Sequence, residues 1–156
     1  MLDDRRIERW IADLTALAGD TIDRAREEFH RRTGPFEVGD AWYEERIRFF
    51  FEWFLCDFGG ARRWLETHPE ASADDRRVAR ACATSARSLY TVRDTDTAGA
   101  VLLEDRLGDG RFSVALPPGA TGLAAGETFD GRLLALDHLV LSNGIVFHPP
   151  QTHEPL

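Results

Sequence analysis

Two histidines and an aspartate near the end of the chain are the residues whose types best suit metal chemistry. Asp137 and His138 precede His148, and Asn143-Gly144 between them is the dipeptide most typical of a tight β-hairpin turn. Such a turn predicts that the two histidines lie close together on neighbouring strands. Imidazole and carboxylate groups bind transition metals, yet no third histidine or cysteine follows at ligand spacing. Two interpretations of these residues stay open: a weak metal site, or a pair of histidines exposed to solvent at a sheet edge. We expect no cofactor.

Two other patterns resemble chemical sites. His68 ends a short helical pattern, where a histidine interacts favourably with the helix dipole. A general-base role is the alternative, although spacing indicates no partner for it. The stretch from Asp94 to Asp105 partly imitates a calcium loop, with Gly99 at the sixth position and an acid at the twelfth. Ala98 occupies a ligand position, which favours a polar hairpin turn instead.

An acidic surface is predicted in the second half of the chain, around Glu104, Asp105 and Asp109. From Leu89 onwards nine acids stand against four arginines, a net charge of −5. These acids either form a solvated face or meet a basic protein partner.

A strongly aromatic helix is predicted at about residues 40–58. One of its apolar stripes contains Trp42, Phe49 and Trp53, and a second contains Phe50 and Phe54. Only a narrow strip remains for water, through Glu45, Arg48 and Glu52. A helix that is apolar on most sides is a buried central helix or one that also faces a partner. Because exposed aromatic patches mark association sites, we predict a homodimer through the first of these stripes.

Composition limits the possible functions. All 19 basic residues are arginine, which excludes lysine-based Schiff-base chemistry from this sequence. The net charge of −8 argues against binding to nucleic acid or to an acidic membrane surface. No apolar run approaches the ~20 residues of a membrane span, and no leader is recognised. We therefore expect a cytoplasmic protein of bacterial type, in which Cys56 and Cys82 are buried thiols rather than a disulfide.

The hydrophobic periodicity predicts an α+β fold, in which about five helices precede a small antiparallel β barrel or bent sheet. We expect a helical subdomain at residues 1–88, a β subdomain at 89–149 and a tail at 150–156. The predicted helices are 3–18, 20–33, 40–58, 61–67 and 72–88. The predicted strands are 89–93, 100–106, 112–116, 128–136, 138–142 and 145–148.

Several short motifs together resemble an uncharacterised bacterial domain that is often found ahead of SEC-C-type zinc-binding tails. They lie at residues 50–58, 88–90, 102–110 and 126–133, and the resemblance covers about residues 40–148. It implies the same helical-plus-β fold and no assigned activity. The sequence has no Cys-rich segment like those tails, so the resemblance implies no zinc role.

The leading functional hypothesis is a non-enzymatic protein-interaction or regulatory module, because large aromatic residues are enriched in interface cores. The first alternative is a metal-dependent enzyme or metal-binding protein that uses the acids and histidines of the β half. The second is a small-molecule sensor with a pocket between the two halves.

Overall fold

The two halves of different sequence character fold into two units. The computed structural model of the protein describes residues 4–17, 19–95, 100–116, 123–142 and 144–148. The chain divides into Met1–Thr84, named the helical unit below, and Ser85–Leu156, named the β unit. The predicted α+β fold class, with helices first and a bent antiparallel sheet after them, is confirmed. The division between the units falls before the predicted boundary at residue 88. The predicted tail lies outside the described residues.

The described helices all lie in the helical unit, and α3 is the central one. It contacts each of the other four helices, as its apolar character predicts. The bounds are α1 Asp4–Leu17, α2 Gly19–Thr33, α3 Tyr43–Cys56, α4 Gly60–Thr67 and α5 Ala73–Thr84.

The core of the helical unit is built from aromatic rings and small side chains. Phe50 and Phe54 of α3 are fully buried, with ring centroids 6.3 Å apart. The buried face of α5 consists of small side chains, including Val78 and Cys82. Small side chains allow close approach of a bulky helix, and α5 contacts α3. Cys56 and Cys82 are buried and not joined in a disulfide, as expected.

Two sequence predictions about these helices are wrong. Glu52 was expected on the strip of α3 that faces water, but it is buried, because α3 has neighbours on nearly every side. The fifth helix was expected to reach residue 88, but it ends at Thr84, and a strand begins at Arg87. Arg87 and Ser88 pair with Arg132 and Gly131 of another strand. Their backbone therefore continues into a sheet and not into the helix.

The β unit holds a bent antiparallel half-barrel with the strand order β3-β2-β1-β4-β5, and β6 also pairs with β4. Its core contains Tyr90, Val92, Leu103, Val114 and Phe129. Their alternation along the strands places them on one face of the sheet. The bounds are β1 Arg87–Thr95, β2 Ala100–Asp105, β3 Arg111–Ala115, β4 Thr128–Ala135, β5 Leu139–Leu141 and β6 Val146–His148.

The predicted hairpin at Asn143-Gly144 is not formed. β5 pairs with the end of β4, where Leu139 lies opposite Ala135. β6 also runs antiparallel to β4 and pairs with its beginning, where His148 lies opposite Thr128. The chain therefore does not reverse between β5 and β6. β5 and β6 run in the same direction as each other and antiparallel to β4, because β4 offers each of them a ladder of backbone hydrogen bonds. Asn143 itself lies outside the described residues.

Candidate functional site

A groove of about 490 Å³ lies between α2 and the C-terminal end of α3. The α2 residues that line it recur at helical spacing, which places them on one face of that helix. α3 and the turn after it contribute two aromatic rings and an acid. The lining residues are Arg24, Glu27, Glu28, Arg31, Arg32, Trp53, Asp57 and Phe58.

The apolar part of this groove is formed by Trp53 and Phe58. Their ring centroids lie 5.2 Å apart, and Phe29 of α2 packs against Trp53 at 5.5 Å. The Arg32 guanidinium lies over the indole of Trp53 at 5.7 Å, within cation–π range. Trp53 and Phe58 are only partly buried. Both rings are therefore held in place by neighbours and still accessible from the groove.

The charges of the groove are unevenly engaged. The Glu28 carboxylate accepts hydrogen bonds from Arg31 at 2.7 and 2.9 Å and from Arg32 at 2.6 Å. These bonds lower the pKa of Glu28 to about 2. Arg24, in contrast, is exposed and makes no hydrogen bond or ion pair with the residues that the structure describes. Arg24 is thus available to an anionic group of a ligand.

Trp42, the first interaction candidate, lies at the opposite end of α3 from the groove. It immediately precedes α3 in a left-handed conformation with φ 66°, and its side chain is 73% exposed. About 16 Å of helix axis separates it from Trp53, given the 1.5 Å rise per residue. Phe49, the second candidate, lies between them in α3 and is partly buried. Of these three predicted residues, only Trp53 lines the groove.

The turn that presents Trp42 is held by hydrogen bonds at its base. Arg46 donates to the carbonyl oxygens of Gly34 at 2.7 Å and Thr33 at 3.0 Å, which caps the end of α2. The Glu37 amide donates to the Asp40 carboxylate at 2.8 Å. A left-handed conformation is uncommon for a bulky residue, so these contacts support an exposed indole that the local backbone disfavours.

The acids predicted as an interaction surface in the β unit are largely engaged within it. Glu104 forms ion pairs with Arg93, with Arg106 at 3.6 Å and with Arg111 at 3.5 Å. The Arg93 hydrogen bond, followed by the nearby positive charges, lowers the pKa of Glu104. A basic partner would have to displace these arginines to reach the carboxylate.

Asp105 is engaged as well, in the turn after β2. It accepts hydrogen bonds from the Ser88 hydroxyl at 2.5 Å and from the amides of Leu107 and Gly108 at 2.9 and 3.0 Å. Burial by itself raises the pKa of Asp105, but these hydrogen bonds outweigh it and hold the pKa below its ordinary value. Asp109 is exposed in the same turn, with φ 55°. Of the three predicted acids, only Asp109 retains an exposed side chain.

The weak metal candidates do not come together. His138 precedes Leu139, which pairs with the last residue of β4, whereas His148 pairs with its first residue. Seven strand positions of about 3.3 Å separate these ends, roughly 23 Å, so the predicted closeness of the two histidines is wrong. Asp137 and His138 are exposed together at one end. Within the described ranges no group of three or more His, Cys, Asp or Glu side chains could hold a metal ion.

The calcium-like stretch is also divided by strand pairing. Asp94 pairs with Leu102, and Asp105 pairs with Tyr90. About 13 Å of strand therefore separates the first and the last acid of the pattern. Two carboxylates at that separation cannot bind one calcium ion, whose ligands lie at 2.3–2.6 Å by the usual geometry. The intervening residues 96–99 lie outside the described residues.

One constellation escaped the sequence analysis because its members are distant in the chain. Asp13 of α1 accepts a hydrogen bond from the Trp64 indole at 3.0 Å and lies 3.7 Å from His68 Nε2. His68 stacks on Trp64, and its Nδ1 lies 3.0 Å from the Thr67 hydroxyl. That hydroxyl donates to the carbonyl oxygens of Arg63 and Trp64. The cluster therefore joins the end of α4 to α1, and its hydroxyl is engaged as a donor in the helix.

Comparisons with known proteins contribute no relative: no family model, curated protein or solved structure matches this chain. No helix among the described residues combines the length and apolar character needed to cross a membrane. The groove at Trp53 offers two aromatic faces and one guanidinium, that of Arg24, without a hydrogen bond or ion pair to the described residues.

Proposed function

We propose that this chain is a non-enzymatic protein-interaction module that holds a segment of a polypeptide in the groove between α2 and α3. The observation that carries the proposal is the meeting of Trp53 and Phe58 with Arg24 and Arg32 in one open groove. Tryptophan and arginine are the residue types most enriched among interface hot spots. An accessible aromatic surface beside an unengaged guanidinium suits a segment that carries an apolar ring and a carboxylate.

The alternative of a metal-dependent enzyme has less support. It would use the acids and histidines of the β half, and the register of β4 puts His138 and His148 near opposite ends of that strand. A small-molecule ligand is the nearer competitor, because the groove volume falls within the roughly 300–1,000 Å³ of typical ligand pockets. Its mixed charge and open rim favour a polypeptide, which can contact the charged rim and the rings together.

Site-specific photo-crosslinking in the native cell tests the proposal. A photoreactive phenylalanine analogue at Phe58 should yield a covalent adduct heavier than the 17.6 kDa chain, and mass spectrometry then identifies the attached protein. The same analogue at Leu107, an exposed position in the β unit, serves as the control site and should not give that adduct. A small-molecule receptor would give no protein adduct at Phe58, and that result would exclude the proposed function.

Paired charge reversals make the test specific for the groove. Arg24→Glu should abolish the Phe58 adduct, because it places a repelling carboxylate beside the bound segment. Arg5→Glu makes the same change of charge at an exposed residue of α1 that makes no hydrogen bond or ion pair with the described residues. It should leave the adduct intact. Equal loss in both variants would mean that net charge, rather than the groove, controls association.

A further inference from the structure

We infer that the segment bound in this groove is the Trp42 turn, defined as residues 37–45, of a second copy of the chain. The inference rests on the proposed function, since it names the partner of the same groove. In the resulting homodimer, the indole of Trp42 from each copy packs against Trp53 and Phe58 of the other.

The first argument is the display of Trp42. Its side chain is 73% exposed and has no ring contact with the described residues, while Val38 in the same turn is 84% exposed. The hydrogen bonds of Arg46 to the end of α2 hold this turn in place. In an isolated chain, a large indole held in contact with water is unfavourable, and so is a left-handed backbone with φ 66° at a bulky residue. Contact with a partner removes the apolar surface from water.

The second argument is charge complementarity between the turn and the groove. Glu44 and Glu45 follow Trp42, are exposed, and have no hydrogen bond or ion pair with the described residues. Arg24, which lines the groove, is also exposed and has no hydrogen bond or ion pair with the described residues. Arg24 therefore offers these glutamates an opposite charge, within a groove that Glu27 and Asp57 also line.

The third argument is geometric. The turn lies at the N-terminal end of α3, and the groove lies at its C-terminal end. Two copies can be related by a twofold axis with their α3 helices antiparallel. The N-terminal end of α3 in each copy then approaches the C-terminal end of α3 in the other copy. The same contact is then made twice, which is the closed, isologous arrangement of most homodimers. A groove of about 490 Å³ has room for an indole ring.

A complementation experiment tests this reciprocal contact. Light scattering at micromolar concentration should give the wild-type chain twice its 17.6 kDa mass. Trp42→Ala removes the ring but keeps the groove, and Arg24→Glu damages the groove but keeps the ring. Each variant alone should dissociate at least about tenfold more readily, as for loss of a hot spot. A mixture of the two should recover part of the affinity, because one intact ring then meets one intact groove.

Three outcomes would overturn the inference. A wild-type chain that stays monomeric at micromolar concentration has no such dimer. A mixture of variants that associates no better than either alone shows that Trp42 and Arg24 do not meet across the interface. A dimer that is unaffected by both substitutions but lost in Phe147→Glu would instead use the surface around Phe147 of β6, which is 49% exposed. Both substituted side chains are exposed, and circular dichroism checks that the variants remain folded.

The crosslinking test separates this inference from the proposed function. A Phe58 adduct of twice the chain mass that disappears in Trp42→Ala supports both. An adduct with a different protein, formed by a monomeric chain, keeps the proposed function and excludes the second copy as the partner.

Discussion

The acids of the β unit and three exposed charges of the helical unit are engaged to different extents. In the β unit the charged side chains bind one another and the backbone: Glu104 meets three arginines, Asp105 holds a turn, and Arg87 lies 2.6 Å from Asp130. In the helical unit, Arg24 of the groove and the two glutamates after Trp42, at the other end of α3, make no such contact with the described residues. A dense cluster of charges in a sequence is therefore a poor guide to a binding surface. What matters is whether the folded chain already satisfies those charges.

The interiors of the two units differ as well. The helical core consists of rings that contact one another, as in the pairs Phe29–Phe50 and Phe50–Phe54. The β unit buries polar groups, among them Arg132, which is 1% exposed and donates to the Ser85 hydroxyl at 3.0 Å. Thr91 and Thr128 share a buried hydrogen bond of 3.0 Å. Packing should dominate the stability of the first unit, and satisfied polar contacts should contribute more in the second.

The largest effect is expected in the aromatic core. Phe54→Ala should lower the free energy of unfolding by about 3–5 kcal/mol, because a fully buried ring is replaced by a cavity. Trp53→Ala, one residue away on the partly buried side, should cost less, about 1–3 kcal/mol. Chemical denaturation of both variants measures the difference. Equal losses would show that Trp53 is a core residue and would remove the distinction between core and groove.

A smaller loss is expected when the polar interior of the β unit is disturbed. Arg132→Met keeps much of the side-chain length but leaves the Ser85 groups without their charged donor. The expected cost is about 1.5–3 kcal/mol, typical of hydrogen bonds to charged groups. Arg106→Met, at an exposed position in the same unit, is the control and should cost little. A neutral or stabilising Arg132→Met would mean that apolar packing suffices at this position.

The sequence was most informative where local chemistry determines structure. Apolar periodicity predicted the helices and strands, and the aromatic surplus of α3 predicted its central place. The sequence prediction failed at Asn143-Gly144, because a dipeptide indicates only a local turn preference. It cannot indicate that the strands on both sides of it pair with β4. The prediction also failed at Glu52, where the neighbours that bury the side chain come from distant parts of the chain.

The candidate site was only partly accessible to sequence reasoning. Trp42 and Trp53 were identified from the apolar stripe of α3, but the five groove residues of α2 were not. In sequence, α2 has as many acids as arginines and looks like an ordinary solvated helix. Only the approach of Trp53 and Phe58 turns its outer face into a groove. The cluster of Asp13, Trp64 and His68 was missed for the same reason, since Asp13 is far from the other two in the chain.

A local cap provides a prediction of moderate size in the helical unit. The Ser72 hydroxyl accepts a hydrogen bond from the Asp75 amide at 3.1 Å, at the start of α5. Ser72→Ala should therefore cost about 1 kcal/mol, whereas Ser72→Thr should retain most of the stability. Thermal unfolding of the two variants makes the comparison. Equal losses in both variants would show that the hydroxyl cap does not account for the contribution of Ser72.

The smallest expected effect concerns a carboxylate held by arginines in each unit. The hydrogen bonds from Arg31 and Arg32 lower the pKa of Glu28 from its ordinary 4.5 to about 2, and the Arg93 bond lowers that of Glu104. A folded-state pKa below the unfolded value stabilises the protein fully above the ordinary pKa. That contribution is lost as pH falls from about 4.5 through about 2. Wild-type protein and Glu28→Gln should thus differ in stability at neutral pH and converge in acid.

Carboxyl chemical shifts measured across an acid titration report both groups directly. Glu28 should titrate near 2, and it should move back towards 4.5 in the double variant Arg31→Gln, Arg32→Gln. The Glu104 titration should not change in that variant, because its arginines are residues of the β unit. An ordinary pKa for Glu28 in the wild-type chain would mean that Arg31 and Arg32 do not hold it in solution. Both guanidiniums would then be as open to a partner as Arg24, and the contrast between engaged and unengaged charge within the groove would disappear.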